Sequence, residues 1–176
     1  MTALPATTGL GRKLLLASRP VSWINTAFPF AAAYYLTVRH VDAALVVGTI
    51  FFLIPYNLAM YGINDVFDYE SDVANPRKGG IEGALLDRRV HTATLVTATA
   101  VCAPFVIALV ILGSPASWLV LAISLFAVAA YSVPGLRFKE VPFLDSVTSS
   151  THFTSPAVYA LALAGARPTP QLVLVL

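Results

Sequence analysis

Charge is scarce in this sequence. Charged residues make up 11% of its 176 positions. Ordinary soluble domains carry roughly 25%, so this chain has too few to coat a water-soluble globule. The scarcity also excludes a nucleic-acid module, which needs a basic face, and a disordered chain, which combines low hydrophobicity with high net charge. Cysteine is nearly missing too. Cys102 stands alone, which excludes an internal disulfide scaffold. Its apolar neighbours Val101 and Ala103 make it a small buried hydrophobe rather than a reactive thiol. The sequence has no tandem repeat, no low-complexity tract, and no alternating ten-residue segments of the kind a transmembrane barrel needs. It also lacks a nucleophile triad, zinc-ligand spacing and a phosphate-binding glycine loop.

What the chain has is apolar length. Hydrophobic residues reach 57% and the mean hydropathy is +0.77. A helix crosses a bilayer with about 20 apolar residues. Five stretches approach that length: Pro20–Val38, Ala43–Ile63, Thr92–Leu112, Ala116–Val133 and Ser146–Ala164. A sixth begins at Gln171 and reaches Leu176. These runs predict an all-α, polytopic transmembrane helix bundle in one domain over residues 1–176, with five spans and the start of a sixth. A cleaved signal peptide is the rival for the first run, since Arg12 and Lys13 precede it and Ala31–Ala33 mimics a cleavage site. Its length and the spans that follow speak against that rival.

Nine of the eleven basic residues fall on one side of such a bundle: Arg12, Lys13, Arg19, Arg77, Lys78, Arg88, Arg89, Arg137 and Lys139. Only Arg39 and Arg167 fall on the other. The positive-inside rule then puts the N-terminus and both long loops in the cytoplasm, the chain being integral to the cytoplasmic (inner) membrane. Trp23 and Trp118 fit interfacial anchors, and Pro29, Pro55, Pro104 and Pro156 permit kinks within spans.

The most informative stretch closes the second span: Tyr61-Gly62-Ile63-Asn64-Asp65-Val66-Phe67-Asp68-Tyr69-Glu70-Ser71-Asp72. Asn64, Asp68 and Asp72 are four apart. On a helix each such step turns about 40° and rises about 6 Å. The three therefore share one face, while Asp65 and Glu70 point elsewhere. Ionisable groups at membrane depth are costly and are usually kept for function. One amide oxygen and two carboxylates are hard ligands that suit Mg²⁺ together with a substrate phosphate. An EF-hand fits worse, because a loop starting at Asp68 has Val73 and Gly79 where glycine and glutamate belong. The plainer alternative is a solvated acidic helix end.

Beyond it, Pro76 and three glycines make a flexible loop in which Arg77 and Lys78 are candidates to hold a diphosphate or to pair with the carboxylates, the plainer alternative being ordinary positive-inside charge. On the same side lies Tyr131-Ser132-Val133-Pro134-Gly135-Leu136-Arg137-Phe138-Lys139-Glu140. Arg137 can fork onto phosphate oxygens and Lys139 can act as a point charge. Tyr61, Phe67 and Tyr131 are candidates to wall a cavity in which an allylic cation forms. The last span opens on the polar run Thr148–His152, which suggests an interior face; His152 is either a structural histidine or a proton acceptor.

These residues resemble a known family. Asn64, Asp68 and Asp72 resemble the first aspartate-rich motif of the UbiA superfamily of intramembrane prenyltransferases. Tyr131, Ser132, Pro134, Arg137 and Lys139 resemble the loop after that family's fourth span. The resemblance runs from Arg19 to about Tyr159. It implies an all-helical protein of about nine spans that moves an allylic prenyl group from a diphosphate to a hydrophobic acceptor, with Mg²⁺ as cofactor. It further implies that Asn64, Asp68 and Asp72 bind Mg²⁺ and the diphosphate, and that Arg137 and Lys139 hold the phosphates. The segments Arg77–Ala84, Phe138–Ser146 and Thr151–Phe153 are similar to lycopene elongases of C50 carotenoid synthesis. That likeness implies transfer of a C5 unit from dimethylallyl diphosphate to lycopene, a polyene acceptor held in the lipid. Two alternatives remain: a quinone or chlorophyll precursor as acceptor, or a non-catalytic membrane subunit. The family's second aspartate-rich motif does not occur in these residues, since after Glu140 only Asp145 is acidic. The expectation is therefore a domain incomplete at its C-terminus and inactive by itself.

Overall fold

In the computed structural model, which describes residues 9–75, 85–167 and 169, the long apolar runs are helices. There is no strand among the described residues. The helices are α1 (Leu10–Ala17), α2 (Ile24–Val38), α3 (Ala43–Leu53), α4 (Pro55–Phe67), α5 (Tyr69–Ala74), α6 (His91–Leu112), α7 (Pro115–Ser132) and α8 (Pro142–Leu163). Short 3₁₀ turns stand at Pro20–Ser22, Arg88–Val90 and Phe138–Glu140. The last of these carries Lys139.

Among the described residues, three helical stretches are long and apolar enough to cross a membrane: Ala43–Phe67, Arg88–Leu112 and Pro115–Ser132. The first is α3 and α4 together. The five-span expectation is thus met only in part. α2 has 15 residues because the chain turns through Pro20–Ser22 before the helix starts. α8 has 22 residues, but Asp145 and its serines and threonines dilute its apolar character. The sixth run, at residues 171–176, lies outside the described residues.

Local chemistry explains the boundaries. α2 ends at Arg39, whose left-handed backbone (φ 64°) turns the chain. Asp42 then caps α3, accepting the Leu45 N–H at 2.9 Å, and it also receives the Tyr34 hydroxyl at 2.9 Å. These two bonds close the α2–α3 hairpin. The Leu45 N–H, ahead of all other causes, holds the Asp42 carboxyl below the usual carboxylate range. At the α6–α7 hairpin, Ser114 and Ser117 form a capping box around Pro115, and the Trp118 indole N–H donates to the Val110 carbonyl at 2.9 Å.

The break between α3 and α4 is set by Pro55, which has no N–H to continue the helical ladder. Side chains satisfy the carbonyls around it. Thr26 donates to the Phe52 carbonyl at 2.7 Å, and Asn57 Nδ2 lies 2.7 Å from the same oxygen and 3.1 Å from that of Leu53. The Cys102 thiol reaches the Pro55 carbonyl at 3.2 Å, so the lone cysteine is a buried packing residue with one weak bond.

Around this kink lies the core, built of Phe30, Phe51, Phe52, Tyr56 and Tyr159, all fully buried. Ring centroids are 4.9 Å apart for Phe51 and Phe52 and 5.2 Å for Phe30 and Phe52. Gly48 lets the Phe30 ring press on the α3 backbone, where an added Cβ would collide with it. α2 packs on α3 and α8, α7 on α8, and α4 on α6 and α7. That arrangement brings the C-terminal end of α4, the turn after α7 and the first half of α8 to one cavity.

Candidate active site

The i, i+4 spacing does in the structure what the helix arithmetic asks. α4 and α5 are almost one helix: the Asp68 N–H bonds the Asn64 carbonyl at 2.9 Å, and the Asp72 N–H bonds the Asp68 carbonyl at 2.8 Å. Asn64, Asp68 and Asp72 therefore line the same cavity, of about 450 Å³. Tyr61, Met60, Tyr131 and His152 complete much of its wall, with Arg19 and Lys139 at its charged side.

The two polar elements, the end of α4 with α5 and the turn after α7, meet through Lys139. Its ammonium donates to Asp68 Oδ1, to Asn64 Oδ1 at 3.3 Å and to Ser132 Oγ at 3.3 Å. Ser132 in turn donates to Asn64 Oδ1 at 2.8 Å. Arg137 stands next to it, with its guanidinium 3.6 Å from Asp68 Oδ1 and a 3.5 Å bond to the Phe67 carbonyl. Arg137 adopts a left-handed backbone (φ 41°), which turns the chain so that both cations reach back over α4. Charge-assisted bonds of this kind are the strong ones.

Several residues were not evident from the sequence. Arg19 enters the count of basic charges only as a topology signal, yet it lines the cavity. It pairs with Asp65 at 3.2 Å and lies over the Tyr61 ring at 4.2 Å. Asp65 indeed faces away from the cavity, but it is 1% exposed. A buried carboxylate inside a helical span demands a cation, and that demand was the signal available. Ser149, within the polar run that opens the last span, also lines the cavity, and Ser132 of the loop motif bonds Asn64. Conversely, Phe67 is not in the cavity wall; it faces a separate surface hollow beside Tyr69 and Arg88. Arg77 and Lys78 lie outside the described residues.

The donor set fits a hard cation. Among the described residues no three His, Cys, Asp or Glu side chains converge as a metal site. The candidate set is instead mixed, an amide oxygen with two carboxylates, and the Lys139 ammonium already sits between two of its members as a stand-in cation. Such oxygen ligands suit Mg²⁺, which is held by one or two carboxylates and completed by water and phosphate. Basic side chains flanking an acidic face give a pocket able to take a metal–diphosphate as one neutralised unit.

Comparison with known proteins gives the family. The profile of the UbiA prenyltransferase family matches residues 26–176. The chain is 61% identical over 165 residues to the C(50) beta-cyclic carotenoids biosynthesis protein LbtBC of Dietzia sp. (strain CQ4), covering 94% of this chain and 38% of that one. It is 57% identical over 159 residues to the lycopene elongase/hydratase of Corynebacterium glutamicum, covering 90% and 55% respectively. The lycopene elongase/hydratase of Halobacterium salinarum is 35% identical over 162 residues, covering 89% and 57%. The chain thus spans between 38% and 57% of the length of these relatives. No solved structure matches it.

Proposed function

We propose, from the premise that this chain belongs to the UbiA prenyltransferase family, that it moves an allylic C5 group from dimethylallyl diphosphate to lycopene within the cytoplasmic membrane. The observation that carries this reading is the meeting of Asn64, Asp68 and Asp72 with Lys139 and Arg137 over one aromatic-walled cavity. The names of the similar proteins support lycopene as acceptor over an aromatic precursor.

In this reading Asn64, Asp68 and Asp72 hold Mg²⁺. What the ion supplies when bound is neutralisation of the departing diphosphate. Lys139 and Arg137 swing from the carboxylates to the phosphate oxygens. Their flexible stems allow this, and the exchange of one anion for another keeps each cation paired. Tyr61 and Tyr131 wall the space where positive charge develops. Both rings already neighbour cations, Arg19 at 4.2 Å and Lys139 at 5.8 Å. Such contacts stabilise a cation by about 0.5–2 kcal/mol. The five long helical units span the membrane with the N-terminus and the site on the cytoplasmic side, where nine of eleven basic residues lie.

The test uses the full-length protein in membranes from lycopene-producing cells, supplied with dimethylallyl diphosphate and Mg²⁺. Products heavier by one and two C5 units are expected. Asp68→Asn should lower the rate roughly 100-fold or more, as loss of one electrostatic ligand does at such sites. Full activity in that variant would remove Asp68 from the site, and prenylation of an aromatic acceptor in place of lycopene would overturn the substrate assignment.

A further inference from the structure

Prenyl transfer to an alkene leaves a positive charge behind, and something must take the proton that discharges it. We propose that Nε2 of His152 is that acceptor, an inference that rests on the prenyl transfer reading above. His152 is 4% exposed and lines the cavity that holds Asn64, Asp68 and Asp72. Its Nε2 has no hydrogen-bond partner among the described residues. The ring is nevertheless fixed: its backbone hydrogen-bond partner is Ala127, and the Tyr131 ring packs edge-on at 5.3 Å between centroids with 77° between planes. An imidazole that donates through one nitrogen presents the other as a base.

Position favours it over the carboxylates. His152 lies ten residues into α8 from Pro142, roughly 15 Å along the helix axis. Asp68 is bonded to Lys139 and flanked by Arg137 at the charged side of the cavity. A base there would compete with the diphosphate's own ligands. The charged and titratable groups around the cavity are Tyr61 from α4, Tyr131 from α7, Lys139 after it, Arg19 before α2, and Asp68 and Asp72 from α4 and α5; on α8 itself Asp145 lies about two turns before His152 and beside Tyr131. α3 contributes no titratable side chain, and Tyr34 of α2 is occupied with Asp42.

The step balances as follows. The C–O bond of dimethylallyl diphosphate breaks and its electron pair leaves with the diphosphate. The π electrons of the terminal alkene form the new C–C bond, leaving a tertiary cation on the acceptor. A C–H bond beside that cation gives its proton to Nε2 and its electrons to a new C=C. The imidazolium then returns the proton to water. No oxidant or reductant is involved.

The experiment compares wild type, His152→Ala and His152→Gln in the full-length protein. For both variants kcat should fall about 100-fold or more, the usual scale of general-base catalysis, with KM for dimethylallyl diphosphate within about twofold. The base must be neutral to act, so the wild-type rate should decline on the acid side, and the variants should lose that limb. Added imidazole should restore His152→Ala. A kcat near wild type with an intact acid limb overturns the proposal. So does loss of binding of inorganic diphosphate with Mg²⁺ in both variants, which would make His152 structural. A wild-type protein that transfers no C5 unit to lycopene refutes the underlying function instead.

Discussion

Arg19 shows how far a single residue's role can lie from its sequence context. Its guanidinium joins Asp65, whose side chain is fully buried, and stacks on Tyr61. Removing one member of a buried pair typically costs 3–5 kcal/mol, because the remaining charge loses its compensation. Arg19 keeps 23% side-chain exposure, so Arg19→Met should cost about 3 kcal/mol. The double variant with Asp65→Leu should recover much of that, and thermal unfolding in detergent would measure both. Equal losses in the single and double variants would show that the pair contributes little. The acidic face was legible because Asn64, Asp68 and Asp72 obey local helix geometry. The Arg19–Asp65 pair was not, since its partners are 46 residues apart and only tertiary packing joins them.

At the scale of the element, helix ends were readable and helix continuity was not. Asp42 before an apolar run is a capping signal, and it caps α3. Asp42→Ala should cost about 1 kcal/mol. The Leu45 N–H lowers the carboxyl's pKa in the folded state. Its contribution is therefore complete above the ordinary aspartate value of about 3.9 and fades as pH falls through the lowered one. Unfolding profiles of wild type and Asp42→Ala should run parallel above the ordinary aspartate value and converge as pH falls below it, and profiles that stay parallel throughout the acid range would contradict this account. The kink at Pro55 was visible as a proline within a span. Its repair by Thr26 and Asn57 was hidden, because Thr26 comes from another helix.

At the scale of the molecule, the all-helical architecture followed from apolar run lengths alone. The number of membrane crossings did not follow as directly. Length and hydropathy single out three stretches, and α2 and α8 depend on neighbours for their burial. The predicted orientation can be read by labelling. In a Cys102→Ala background, Ser71→Cys should react with an impermeant maleimide only in inside-out vesicles, since Ser71 is exposed beside the acidic face. Ala116→Cys, exposed at the α6–α7 hairpin, should react only in right-side-out ones. The reverse pattern would invert the topology, and labelling of both from one side would break the span between them.

The three left-handed residues that are not glycine among those described are all arginines: Arg19, Arg39 and Arg137. Left-handed backbone costs an L-residue roughly 1–2 kcal/mol that glycine largely escapes. Chance mutation thus has an open route to a more comfortable chain at each position. At the exposed Arg39 that route is free to be taken. At Arg19 and Arg137 it removes a guanidinium bonded to Asp65 or set against Asp68. A lineage drifting under selection for folding alone would lose Arg39 and Arg137 to glycine and keep Arg19 for its buried pair with Asp65, whereas one kept for its chemistry would surrender only Arg39.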